Sequence, residues 1–136
     1  MAGPVKVLVV DDDPLVLEIV RDWLASAGHD VATRGQALGT ASWVANEKPN
    51  LVLLDVRMPA LSGEELALLM RRSRATATTS VILHSSMPLE ALDELAQRTG
   101  ALGAIQKTQN SQLFLAEFDR LVAQHRSCGA RGGAGS

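Results

Sequence analysis

Short, almost wholly apolar runs alternate along this chain with longer stretches in which apolar residues recur every three or four positions. Residues 5–10 are β-branched and apolar apart from Lys6, and read as a strand buried on both faces. Asp13 and Pro14 then supply an N-cap and a first-turn proline. Val16, Val20, Trp23, Leu24 and Ala27 follow at helical spacing until Gly28. A weak strand is predicted at 29–33. A second helix is predicted over about 36–47, with Ala41, Val44 and Ala45 inward and Pro49 as its stop. Residues 51–54 form the next clear apolar run. Ser62 and Glu65 have the spacing of a capping box and open a helix to about 73. Residues 80–84 read as another buried strand. Ser86 and Pro88 start a helix with Leu92, Leu95 and Ala96 facing in and Gly100 at its end. A fifth, weaker strand spans 101–105. Asn110 caps a last helix striped with Phe114, Phe118, Leu121 and Val122.

Five strands alternating with five helices predict an α/β protein with a parallel sheet, because strands without a polar face need helices on both sides. The 136 residues fit one domain with a core of its own, and 46% hydrophobic content excludes disorder over most of the length. A net charge of −2 with interspersed signs offers no basic patch for nucleic acid. No run approaches the roughly 20 apolar residues of a membrane span. Residues 1–4 lack a signal-peptide pattern, and the single cysteine, Cys128, has no internal disulfide partner; both favour a cytoplasmic setting. The stretch 125–136, rich in Gly, Ala and Ser, reads as a flexible tail.

In doubly wound sheets, function gathers at the carboxyl ends of the strands. Asp11 and Asp12 follow the first strand, Asp55 the third, Ser85 and Ser86 the fourth, and Lys107 the fifth. Clustered carboxylates repel one another, and a hard divalent cation such as Mg²⁺ relieves that repulsion. A carboxylate beside such an ion can become an aspartyl phosphate, and phosphoryl transfer asks mainly for positioning and charge neutralisation. His84, adjacent but on a buried strand, reads as a core residue.

Four motifs carry a family resemblance: Val-Leu-Val-Val-Asp-Asp-Asp-Pro at 7–14, Leu-Val-Leu-Leu-Asp-Val-Arg-Met-Pro at 51–59 with Gly63 following, Val-Ile-Leu-His-Ser-Ser at 81–86, and Gly-Ala-Leu-Gly-Ala-Ile-Gln-Lys at 100–107. In order and spacing they resemble the receiver domains of two-component response regulators, over about residues 5–124. The resemblance implies a flavodoxin-like (βα)5 fold with strand order 2-1-3-4-5 and a receiver domain over 1–124. It implies Asp55 as phospho-acceptor, Asp12 as the direct metal-binding acid, and Asp11 as its neighbour acting through water. The backbone carbonyl of Arg57 is a further implied Mg²⁺ ligand. The Ser85 hydroxyl follows the phosphoryl group on activation, and Lys107 pairs with it. The implied donor is a histidine kinase or histidine phosphotransferase, and the output goes to a protein effector that the sequence does not identify. The domain would be a monomer or weak dimer and a signalling acceptor, promoting only its own phosphorylation and slow dephosphorylation.

The chain departs from the family pattern at three positions. Thr108 follows the lysine where proline is usual, Ala104 stands where many members carry an aromatic switch residue, and Asn50 replaces a common Asp. These departures keep a second reading open, a receiver-like interaction module that is not phosphorylated. Other aspartyl-phosphate or nucleotide chemistries fit less well. Haloacid-dehalogenase-type phosphatases want an Asp where Arg57 stands, and neither a G-x-x-x-x-G-K-[ST] nor a G-x-G-x-x-G run exists.

Overall fold

The computed structural model describes residues 3–135, with side chains to residue 127. Its elements alternate: β1 (Lys6–Val10), α1 (Pro14–Ser26), β2 (Asp30–Arg34), α2 (Thr40–Glu47), β3 (Leu51–Asp55), α3 (Gly63–Arg72), β4 (Ser80–Ser85), α4 (Leu89–Thr99), β5 (Gly103–Gln106) and α5 (Ser111–Gly135). The strands form one sheet in the order β2-β1-β3-β4-β5, and every pairing is parallel. The doubly wound fold and its strand order are therefore those anticipated from the sequence.

The pleat sorts each apolar run between two cores. Leu8, Val10, Val52, Leu54 and Leu83 point to one face, where Val44 of α2, Leu66 and Met70 of α3, and Leu92 and Leu95 of α4 cover them. Val7, Val9, Leu51, Leu53, Ile82 and Ile105 point to the other, under Val20 and Leu24 of α1 and Phe114, Phe118 and Leu121 of α5. Trp23 packs on Phe114 with ring centroids 5.4 Å apart, and Trp43 lies partly buried against the opposite core. Among the described residues no helix is long and apolar enough to cross a membrane.

Several helix ends follow the local signals. Asp13 caps α1 by accepting from the Leu15 N–H, with Pro14 in the first turn. Ser62 and Glu65 form the complete reciprocal capping box of α3. Asn110 Oδ1 accepts from the Leu113 N–H at the start of α5.

Four details differ from the sequence expectation. Helix α2 begins at Thr40 rather than near 36. Gly39 adopts a left-handed conformation (φ 82°), and Arg34 holds the preceding turn by donating to the Leu38 carbonyl and to the Thr40 hydroxyl. The core-facing residues of α2 are Thr40 and Val44, with Ala41 partly buried against the same core as expected, Ala37 buried in the turn before the helix and Ala45 outside the core; Ala27 of the α1 terminus is exposed. Ser86 does not cap α4. Pro88 holds that position, and its carbonyl accepts from the Leu92 N–H.

The fourth difference is the domain end predicted at 124, which falls inside α5. His125 Nδ1 lies 2.6 Å from the Ser80 hydroxyl, and Arg126 donates to the Pro4 carbonyl at 2.6 Å. The side chains from 128 on, Cys128 among them, lie outside the described residues, as do residues 1, 2 and 136.

Candidate functional site

The carboxyl ends of β1, β3, β4 and β5 open onto one rim of the sheet. Asp11 follows β1 directly, Asp55 ends β3, Ser85 ends β4, and Lys107 follows β5. Asp11, Asp12 and Asp55 each offer a carboxylate oxygen, and those oxygens lie within 4.8 Å of one another. Asp11 and Asp55 are buried, whereas Asp12 is exposed.

Asp11 is fixed from both sides. Its Oδ1 accepts from the Asp13 N–H at 2.9 Å, so the turn into α1 orients the carboxylate. Its Oδ2 faces the Lys107 ammonium at 2.9 Å, and beyond that ion pair has no hydrogen-bond partner. The same ammonium lies 3.4 Å from Asp55 Oδ1. One cation thus bridges two buried carboxylates.

Burial pushes the Asp55 carboxyl above its ordinary value and the Asp11 charge adds to this, while Lys107 and the Arg57 backbone N–H pull it back. For Lys107, burial favours the neutral amine. The bond and charge of Asp11, then of Asp55, outweigh it and hold the ammonium above the usual lysine range.

The chain beyond Asp55 turns back sharply. The Gly63 N–H donates to the Val56 carbonyl at 2.9 Å, and a Cβ on Gly63 would sit 2.1 Å from the Asp55 carbonyl oxygen. Only glycine lets α3 start against the end of β3 in this way. Ala60 in the intervening loop has φ 71°, unusual for a residue other than glycine. Arg57 lies in this loop with its side chain exposed.

Asp11, Asp12, Asp55 and Lys107 are thus drawn into one group. Ser85 lies at the end of the neighbouring strand, with its hydroxyl turned to its own loop, where it accepts from the Met87 N–H at 3.2 Å. His84 pairs with Asp55 in register, and its buried ring lies edge-on to Phe114 at 5.6 Å. Burial, followed by the Lys107 charge, lowers its pKa to about 3.

Sequence reasoning missed two features. The Gln106 side-chain amide donates to the Met87 carbonyl at 2.9 Å, tying the last residue of β5 to the loop after β4. The Thr108 hydroxyl accepts from the Asn110 N–H at 3.1 Å and shapes the loop where proline is usual. The first has no sequence signal except a long polar side chain next to the lysine. The second is legible as the Thr-x-Asn spacing ahead of a helix.

The three carboxylates, with the buried Asp11 Oδ2 paired only to the Lys107 ammonium, suit a hard, oxygen-seeking cation of the magnesium type. With the ammonium alongside, the group can surround and neutralise a phosphoryl group.

The sequence model of the family described as the response regulator receiver domain matches residues 7–119. The response regulator MprA of Mycobacterium sp. (strain KMS) is 37% identical over 101 residues, which make up 74% of this chain and 41% of that protein. This chain spans about two fifths of the length of the curated relatives it matches. Among solved structures, the chemotaxis response regulator CheY4 of Vibrio cholerae superposes with a TM-score of 0.80 at 23% identity, covering 88% of this chain and 99% of that one. The receiver domain of a sensor histidine kinase from Pseudomonas aeruginosa PAO1, solved with a magnesium ion coordinated in its active-site cleft, gives 0.77 at 18% identity, covering 88% and 98%.

Proposed function

Because this chain belongs to the response regulator receiver domain family, we propose that it is a phospho-acceptor switch in a two-component phosphorelay, with Asp55 as the acceptor. The observation that carries this reading is the Lys107 ammonium placed between the Asp11 and Asp55 carboxylates at the rim of the sheet.

In this reading a partner protein, a histidine kinase or histidine phosphotransferase, presents a phosphohistidine to Asp55. A carboxylate oxygen of Asp55 attacks phosphorus. The new P–O bond forms as the P–N bond to the donor imidazole breaks, and the released imidazole takes a proton from solvent. Lys107 pairs with the transferred phosphoryl group, and the Ser85 hydroxyl turns to donate to it. Asp11, Asp12 and Asp55, with the Arg57 carbonyl, would hold a magnesium ion, which when bound neutralises phosphoryl charge. Water later attacks phosphorus, returning the Asp55 carboxylate and inorganic phosphate.

The cleft beside Lys107 supports approach of a protein donor. It measures about 600 Å³ and is walled by Leu15, Ile19 and Trp23 of α1 together with His84. The added charge then shifts the domain between two conformations read by a protein effector. A cytoplasmic location and a monomer or weak dimer complete the proposal.

The test is incubation with magnesium and a small phosphodonor, followed by intact-mass measurement. The expected result is a gain of one phosphoryl group, absent in Asp55→Asn and in magnesium-free buffer. No gain with any donor would leave the interaction-module reading.

A further inference from the structure

We propose that Gln106 is a positioning residue whose side-chain amide clamps the loop after β4 and opposes the movement that would bring Ser85 to a phosphoryl group on Asp55. The inference rests on the acceptor reading of Asp55 and adds to it a regulator of the same site.

The end of β4 and the loop after it are tied to the end of β5 at two carbonyls, those of Ser85 and Met87. The Lys107 N–H donates to the Ser85 carbonyl at 2.8 Å, and Gln106 Nε2 donates to the Met87 carbonyl at 2.9 Å. The first bond continues the sheet, where Ser85 pairs with Gln106 in register. The second is made by a side chain and can be released without breaking the sheet. Within the loop the Met87 N–H is spent on the Ser85 hydroxyl at 3.2 Å. Met87 carries both bonds, one on its carbonyl and one on its N–H, so fixing its backbone also holds the hydroxyl that must turn toward Asp55.

The surroundings give this clamp room to act. Residue 104 on β5 is an alanine, and a cleft of about 270 Å³ lies between β5, the start of α4 and α5, lined by Leu89, Ala104, Gln106 and Leu113 among others. Packing against a large residue at 104 is therefore not what holds the loop. A polar tether from two residues further along the strand takes that part. Because the amide is exposed, its bond adds little to overall stability. A bond present in one of two conformations and lost in the other still moves their ratio by its full worth.

Two variants test this. Gln106→Leu keeps the approximate size and removes the donor, and Gln106→Glu places an acceptor against the Met87 carbonyl. Three quantities are read: amide hydrogen exchange at Ser86 and Met87 in the unmodified protein, beryllofluoride affinity with magnesium, and urea stability. Both variants are expected to exchange about two- to tenfold faster at these amides and to bind beryllofluoride about two- to tenfold more tightly. The urea midpoint should stay close to that of the wild type. A merely structural contact would shift the midpoint and leave affinity unchanged or weaker, and that result overturns the proposal, as does unaltered exchange. If the wild type binds no beryllofluoride, the acceptor reading fails. Exchange alone then decides the clamp, faster exchange in Gln106→Leu upholding it and equal exchange overturning it.

Discussion

Ionisable side chains gathered inside a protein must compensate one another, and this site shows two ways of doing so. Asp11 is only 1% exposed and takes its compensation from the Lys107 ammonium and the Asp13 N–H. His84, 4% exposed, has no such partner charge and stays neutral, with its pKa lowered to about 3 by burial and then by Lys107. The consequence for stability has a definite sign. In the unfolded chain His84 takes a proton as pH falls below 6.5, while in the folded protein it does not. Its contribution is thus complete above 6.5 and is lost as pH falls toward 3. Between pH 7 and pH 5 the loss from this residue alone should be about 2 kcal/mol. Burial also lowers His29 and His125, so they act in the same direction. Urea unfolding at both pH values checks this, and His84→Leu should show a drop smaller by about that amount. An equal drop in wild type and variant would refute it. The acids and the lysine were legible in the sequence because their motifs fix their places at strand ends. The Gln106 contact was not, because it depends on where the Met87 carbonyl falls after an irregular turn.

At the scale of elements, the junction of β3 and α3 is the tightest constraint near the site. Gly63 starts α3 directly against the Asp55 backbone, with the Ser62–Glu65 capping box closing the turn. Gly63→Ala would drive a methyl group into the Asp55 carbonyl, which is backbone and cannot swing aside. The expected cost is about 2–3 kcal/mol, together with slower phosphoryl uptake because Asp55 itself must shift. Thermal unfolding and the phosphodonor assay on that variant would show both effects, and a protein of normal stability and uptake would contradict the prediction. Apolar runs and cap residues made β1, β3, β4, α1 and α3 readable in advance, since each is specified by its own residues. The start of α2 was not readable. It hangs on Arg34, a residue of the preceding strand, reaching across to hold the turn before Gly39.

For the molecule as a whole, protection should follow the order of the sheet. β3 is buried at all five positions and lies between β1 and β4, whereas β2 forms an edge with partly exposed side chains. Amide exchange in the native protein should therefore be slowest in β3 and β1 and fastest in β2 among the strands. A β2 as protected as β3 would show that the edge is covered in solution. The bridging ammonium carries a further implication, for synthesis. A polypeptide is made from its amino end, so a ribosome-bound chain displays Asp55 well before it contains Lys107. Until β5 docks beside β4, Asp55 stands without its cation. If Asp55 takes the phosphoryl group as proposed, unfinished polypeptides are poor targets for a donor, and only a completed fold can be charged and speak for the signal.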